Sequence, residues 1–226
     1  MTDLNFTLIS GDKVTDAQLK TCATLFSQNY GVWSSLSSSP FMKPGTRVKI
    51  NATRLKDQCL ADPANSKLAL CTLDGVLVGH AFATIWQYDQ SKTVCWVTQL
   101  VVSSSHRERG IATTLLHLLP RPDVKCTAFG LASSHPAACA ALSKAAHANL
   151  RKLDLGFIRA HARPIIDTSP VSYLKNAQLR GTLFKDGADG GAVCSVNTEF
   201  YERQDMAWPF GELPEGHEFL CIVPSK

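Results

Sequence analysis

One segment, residues 94–119, constrains the fold more than any other part of the chain. It reads VCWVTQLVVSSSHRERGIATTLLHLL, a β-prone apolar run that passes through a polar, basic turn into a helix beginning with small residues. Arg107, Gly110 and Ala112 have the spacing RxxGxA. The first turn of a helix offers unpaired N–H groups and the positive end of the helix dipole, and Arg107 and Arg109 can add charge-assisted contacts. The segment therefore predicts an anion site close to the backbone.

The residues before this segment predict a strand, two helices and a hairpin. We expect the first strand over residues 4–9, a helix capped by Thr15 or Asp16, and a second helix from Asn51 to the Asp62–Pro63 pair. The hairpin joins β-prone runs at 67–73 and 76–85 through Asp74–Gly75, a pair suited to a type I′ turn, and 93–102 adds a third strand.

The residues after the segment predict a crossover connection. A strand at 124–132 is followed by SSHPAACAALSKAAHA, which has a polar cap, a proline at its first turn and an alanine-rich body. The strand at 93–102, the helix that Gly110 opens and the strand at 124–132 follow one another along the chain. This strand–helix–strand order predicts that the two strands run parallel. Further on, we expect a helix that ends at Pro164, a flexible turn in KDGADGGA, and two closing strands in AVCSVNTEF and EFLCIV.

The segment WVTQLVVSSSHRERGIA resembles motif A of the GNAT superfamily of N-acetyltransferases, and within it the protein N-terminal acetyltransferases. The resemblance implies an α/β (α+β) fold: a mixed, mostly antiparallel central sheet flanked by helices, with strands 4 and 5 parallel and splayed apart. We expect one domain, with a core over about 4–160 and an extension over 161–226 that completes the sheet and shapes the acceptor site.

The resemblance also implies acetyl-CoA as the acyl donor, with CoA as product. Backbone groups of Leu100, Val101 and Val102 would pair with the pantetheine arm like an added strand. Amides of the turn and first helical residues would hold the pyrophosphate: Arg107, Glu108, Arg109, Gly110, Ile111, Ala112 and Thr113. His135 stands where the family commonly has asparagine, and it either contacts pantetheine or caps its helix.

The catalytic groups are less readable from the sequence. An attacking amine must first lose a proton, and backbone N–H groups near Leu100 or Val101 can stabilise the oxyanion that forms. The position that carries a glutamate or tyrosine base in many relatives is Trp96 here, and the family's usual tyrosine acid has no counterpart between Tyr88 and Tyr173. We therefore expect catalysis to depend more on positioning and backbone electrostatics than on one dedicated base, and a relay through water is sufficient. Among side chains, His80 is the first candidate for the base and Glu218 the next. Their structural alternatives are a hydrogen-bonded histidine on the sheet and a solvated strand edge.

Composition narrows the remaining function classes. Lys plus Arg number 23 against 19 Asp plus Glu, and this dispersed charge of +4 argues against nucleic acid. The eight cysteines form no CxxC pair, so we expect buried thiols in a reducing compartment and no metal. With no secretory signal and no apolar run of roughly 20 residues, we expect no membrane and a location in the cytoplasm, or cytoplasm and nucleus.

The sequence thus predicts an acetyl-CoA-dependent N-acetyltransferase that acts by direct attack of a primary amine on the thioester. The amine is a small molecule, an amino acid or a peptide N-terminus. A catalytically silent acyl-CoA-binding module is the alternative, and a homodimer stays open. Trp33, Trp86, Trp96 and Trp208 either wall the acceptor pocket or belong to the core.

Overall fold

The computed structural model describes residues 3–37, 42–119, 125–180, 195–197, 200–201 and 207–225. The predicted turn in KDGADGGA lies outside them. In chain order the elements are β1 (Leu4–Ser10), α1 (Asp16–Asn29), β2 (Val32–Trp33), α2 (Ala52–Cys59), β3 (Ser66–Leu73), β4 (Val76–Asp89), β5 (Lys92–Val102), α3 (Ile111–Leu118), β6 (Ala128–Ser133), α4 (Pro136–Ala145), α5 (Leu155–Asp167), α6 (Ser172–Lys175), β7 (Gln178–Arg180), β8 (Ser195–Asn197), β9 (Phe200–Tyr201) and β10 (His217–Pro224).

Local signals set the N-terminal elements. Thr15 caps α1 in a capping box with Gln18, and the Asn51 side chain accepts a hydrogen bond from the Arg54 N–H at the start of α2. Asp74 and Gly75 both have positive φ, 50° and 80°, as a type I′ hairpin turn between β3 and β4 requires. These three predictions are confirmed.

Eight strands form the main sheet in the order β1-β3-β4-β5-β6-β10-β8-β7, and β2 pairs with β9 in a second, two-stranded sheet. Neighbouring strands are antiparallel except for β5 and β6, which are parallel from Val94 opposite Ala128 to Val97 opposite Leu131. The predicted fold class, with one parallel pair in a mostly antiparallel sheet, is confirmed. The two predicted closing strands are present as β8 and β10, and β7 adds a third.

A β-bulge at Thr98 explains why β5 and β6 separate. Ala83 of β4 lies opposite Val97, but the next pair is Phe82 opposite Gln99, so Thr98 is an extra residue on β5. A bulge of this kind bends its strand and increases the local twist. Pairing with β6 ends at Val97, so on that side residues 98–102 present an edge that pairs with no described strand, while β4 continues along the other side.

Helices cover both faces of the sheet, and strand alternation decides which side chains meet them. One face carries Phe82 against Leu19 of α1 and Leu55 of α2. The other carries Trp96 in a larger core formed with α3, α4 and α5. Gly130 of β6 lies across from Trp96, and a Cβ at Gly130 would come within 2.6 Å of the indole ring. Trp96 therefore requires glycine at that position.

Several element boundaries differ from the predictions; β6, expected from residue 124, begins at Ala128. Helix α5 continues through Pro164 to Asp167, because Ile165 and Ile166 are buried in the core and their packing outweighs the hydrogen bond that proline cannot donate. Helix α2 ends at Cys59, before the Asp62–Pro63 pair. Strand β4 runs beyond Ile85 to Asp89 because β5 pairs with it along its length. Within the described residues, no helix has the length and apolar character needed to span a bilayer.

Candidate active site

Two cavities adjoin where β5 and β6 separate. The first, of about 560 Å³, lies among the end of β5, α3 and α4, and we call it the α3 cavity. The second, of about 470 Å³, lies between the separated strands and is bordered by α1, α2, α6 and β10; we call it the gap cavity. Four residues line both of them: Tyr30, Leu100, Ser133 and Ala138. The two cavities therefore meet at these four residues.

The α3 cavity brings together nearly all residues that the motif resemblance assigned to the acyl donor. They are Leu100, Val101, Val102, Arg107, Glu108, Gly110, Ile111, Ala112, Thr113 and His135. Arg109 is the exception, because it is exposed and does not line this cavity.

The turn before α3 has an unusual backbone. Gly110 is the N-cap of α3 with φ of 78°, and Glu108 also has a left-handed φ of 64°. Few residues other than glycine adopt this conformation, and such outliers concentrate at ligand sites. A Cβ at Gly110 would have no atom within 4 Å, so the first turn of α3 faces open space.

Arg107 and Asn29 hold this turn against α1. The Arg107 Nη2 donates to the Asn29 carbonyl at 2.8 Å, which places a positive charge at the C-terminal end of α1. The Asn29 Oδ1 accepts from the Ser104 N–H at 2.9 Å. We predicted that the Arg107 guanidinium lies toward a diphosphate, and the structure gives it this additional role of tethering the turn.

His135 caps α4, as one of its two predicted interpretations required. The His135 Nδ1 accepts a hydrogen bond from the Ala137 N–H at 3.1 Å, and the backbone N–H of His135 donates to the Ser133 Oγ at 3.0 Å. The ring also lines the α3 cavity, so a contact with pantetheine stays a prediction.

The gap cavity contains two tyrosine hydroxyls and one carboxylate. The Tyr30 hydroxyl donates to the Glu218 Oε1 at 3.3 Å. The Tyr173 hydroxyl donates to the Thr98 carbonyl, on the bulge, at 3.0 Å. Burial, followed by nearby groups including Glu218, raises the pKa of Tyr173 well above its usual range, so this hydroxyl keeps its proton at neutral pH.

Glu218 lies inside the protein. It is 3% exposed and lines the gap cavity, so its interpretation as a solvated strand edge is wrong. The reason is that β10 is an interior strand of the sheet, with β6 on one side and β8 on the other.

His80, unlike Glu218, lies outside both cavities. It is fully buried, and its Nε2 lies 2.7 Å from the Gln99 Oε1. Burial lowers the pKa of His80 to about 4, and the hydrogen bond to Gln99 only partly offsets this effect. The surroundings favour the structural interpretation of His80, in which the imidazole orients Gln99, itself a residue of the gap cavity wall.

Of the four tryptophans, Trp33 lines the gap cavity, whereas Trp96 and Trp208 are buried in the core. The Trp86 indole N–H donates to Thr168 at 3.2 Å, away from both cavities. The seven described cysteines are buried and form no disulfide with one another, and burial raises the pKa of Cys22 and of Cys59 to about 12. No described cysteine lines either cavity, so within this part of the chain no thiol is available as a nucleophile.

Sequence reasoning missed Tyr30, Tyr173, Thr98 and Gln99. Tyr30 follows a helix without any motif of its own, and Tyr173 lies in a part of the chain with weak periodicity. Thr98 and Gln99 stand inside the recognised segment, but their role depends on the bulge. No local signal identifies these four residues as a group.

Comparisons with known proteins indicate which family the chain resembles. Residues 32–121 match the model of the acetyltransferase (GNAT) family. This part of the chain is therefore similar to the GNAT acetyltransferases, as the motif predicted. No curated protein matches the chain.

The chain also shows a low likeness to several solved structures of acetyltransferases. An aminoglycoside acetyltransferase from an uncultured soil metagenomic sample is 21% identical, with 50% of this chain and 67% of that chain covered and a TM-score of 0.35. The ribosomal-protein-S18-alanine N-acetyltransferase of Escherichia coli is 11% identical, with coverages of 62% and 76% and a TM-score of 0.42. An aminoglycoside N-acetyltransferase in complex with CoA is 17% identical, with coverages of 53% and 68% and a TM-score of 0.35. The chain spans 64% of a further aminoglycoside acetyltransferase structure.

Proposed function

We propose that this protein transfers the acetyl group of acetyl-CoA to a primary amine, by direct attack of the amine nitrogen on the thioester carbonyl. The observation that carries the proposal is the adjoining pair of cavities at the separated strands, one beside the α3 turn and one beside Glu218. The family match over residues 32–121 supports the same reaction.

The residues of the α3 cavity fit a CoA ester. The open space at Gly110 leaves the first-turn amides of α3 accessible to a diphosphate, and the unpartnered edge of β5 offers backbone groups to the amides of pantetheine. Acetyl-CoA would supply an activated acyl group as a thioester. The described residues contain no group of three or more His, Cys, Asp or Glu side chains arranged to hold a metal ion.

Glu218 is the base in this proposal. A protonated amine cannot attack, so its proton must pass to a nearby acceptor. The Glu218 carboxylate lines the gap cavity, and the Tyr30 hydroxyl that donates to its Oε1 also lines both cavities. This pair can orient the amine and take its proton, directly or through one water.

Tyr173 supplies the proton that the departing sulfur needs. Its hydroxyl is protonated at neutral pH, as that of an ordinary tyrosine is, and burial favours the protonated form further. Its bond to the Thr98 carbonyl fixes it beside the separated strands. It comes from α6 and would replace the tyrosine that this chain lacks between Tyr88 and Tyr173. Backbone N–H groups on the unpartnered part of β5, near Leu100 or Val101, would stabilise negative charge on the carbonyl oxygen.

Product formation separates this function from a silent acyl-CoA-binding module. The experiment incubates the protein with acetyl-CoA and a panel of amino acids, simple amines and short peptides, and detects N-acetylated products by mass spectrometry. We expect turnover by the wild type and a kcat lower by about a hundredfold or more in Glu218→Gln, because a general base contributes about 10²- to 10⁴-fold.

The matched control is Glu212→Gln, which removes an exposed carboxylate that does not line the gap cavity and should leave kcat unchanged. Tight binding of CoA without any acetylated product would favour the silent module. Equal kcat values for wild type and Glu218→Gln would remove Glu218 from the mechanism.

A further inference from the structure

We propose that the acceptor is an amine that also carries a carboxylate, as a free α-amino acid does, and that Arg54 binds this carboxylate. The proposal rests on the function proposed above and narrows its acceptor class. It starts from the charges that line the gap cavity. Among the described residues of that wall, Arg54 is the one side chain with a fixed positive charge and Glu218 the one carboxylate.

The packing of α2 directs Arg54 to the cavity. Leu55 and Cys59 are buried against the sheet, at 0% and 1% exposure, which fixes the rotation of the helix. Arg54 and Gln58 are four residues apart, so their side chains lie one above the other on the same face, and both line the gap cavity. A guanidinium and a neighbouring amide together offer several N–H donors to one anion.

Arg54 has no competing anion within the described parts of the chain. The ion pairs there join Lys56 with Asp16, Lys92 with Asp89, and Arg163 with Asp167. The Arg54 backbone N–H donates to the Asn51 side chain, and its guanidinium forms no hydrogen bond with any other described residue. A planar guanidinium binds a carboxylate through two parallel hydrogen bonds. An acceptor with a neutral amide in place of the carboxylate has no negative charge to attract the guanidinium.

An apolar part of the wall and the cavity volume suit one amino acid with an apolar side chain. Phe26, Trp33 and Met42 line the same cavity, and Tyr30 stacks on Phe26 with ring centroids 4.3 Å apart. A volume of about 470 Å³ lies toward the small end of ligand sites. A peptide N-terminus would place an amide, and no anion, where the free amino acid has its carboxylate.

The test compares three acceptors of similar shape at saturating acetyl-CoA: L-phenylalanine, L-phenylalaninamide and 2-phenylethylamine. Only the first carries a carboxylate. For the wild type we expect kcat/KM for L-phenylalanine to exceed that of the other two by at least about tenfold, the size of one hydrogen bond to a charged group. Arg54→Gln should lower kcat/KM for L-phenylalanine by about ten- to a hundredfold, mainly through KM, with less than about a twofold change for the other two.

Lys56→Gln is the matched control, because it removes a positive charge from the same helix at a residue that does not line the cavity. It should leave all three acceptors unchanged. The acceptor assignment is overturned, and the acetyltransferase function stands, if the wild type acetylates the two carboxylate-free amines as well as L-phenylalanine, or if Arg54→Gln lowers all three equally. Failure to acetylate any amine of the wider panel overturns both.

Discussion

His80 should make the free energy of unfolding depend on pH, because its pKa of about 4 lies well below the 6.5 of an exposed histidine. The unfolded chain takes up a proton at His80 as the pH falls through 6.5, whereas the native state does so only near pH 4. Unfolding therefore binds a proton in this window, and the native state loses stability as the pH falls. Between pH 7 and pH 4.5 the loss from this group is about 2 kcal/mol.

The assay is urea unfolding at pH 7 and pH 4.5 for the wild type and His80→Gln. Removing the imidazole should reduce the loss of stability on acidification by about 2 kcal/mol, although the variant is less stable at neutral pH. His117→Gln, which removes an exposed histidine of α3, should keep the wild-type pH dependence. If His80→Gln and wild type lose the same stability, His80 titrates normally and its assignment as a desolvated, structural residue is wrong. An ionisation of His80 near neutrality in the pH profile of kcat/KM would return it to the base role that the sequence suggested.

Three further variants test the packing of Trp96, the proposed CoA site and the proposed proton donor. Gly130→Ala should cost about 1–3 kcal/mol in chemical denaturation, because its Cβ would lie 2.6 Å from the Trp96 ring; an unchanged midpoint would contradict this packing. Gly110→Glu should abolish CoA binding in calorimetry, while Gly110→Asn, which tolerates positive φ, controls for backbone strain; unchanged affinity in Gly110→Glu would remove the diphosphate site. Tyr173→Phe should lower kcat by about a hundredfold at unchanged CoA affinity, and an unchanged kcat would leave Tyr173 with a purely structural contact.

The parts of the fold that could be predicted from the sequence depend on short-range signals. Thr15, Asn51 and the Asp74–Gly75 turn each act on residues within a few positions, so their effects are visible in the sequence. The parallel pairing of β5 and β6 followed from the order strand, helix, strand. The continuation of α5 beyond Pro164 could not be predicted, because burial of Ile165 and Ile166 in the core outweighs the local effect of proline.

The candidate site likewise has a part set by neighbouring residues and a part set by tertiary packing. The α3 cavity is built from consecutive residues around Gly110, and the motif named nearly all of them. The gap cavity joins Tyr30 to Glu218, which are 188 positions apart, and its shape depends on the bulge at Thr98. A bulge is set by how one strand registers against the next, and the residues of β5 alone do not specify it. His80 was the preferred base because histidine titrates near neutrality, but its burial beneath α1 and α2 is a property of the tertiary packing.

The most direct test of the two-cavity account is a crystal structure of the protein with CoA. We predict that the pyrophosphate lies within hydrogen-bond distance of backbone amides between Arg107 and Thr113, with pantetheine along residues 98–102. The sulfur should lie at the junction of the two cavities, beside Tyr30, Leu100, Ser133 and Ala138. A pyrophosphate bound elsewhere, or a sulfur remote from the gap cavity and Glu218, would contradict the account.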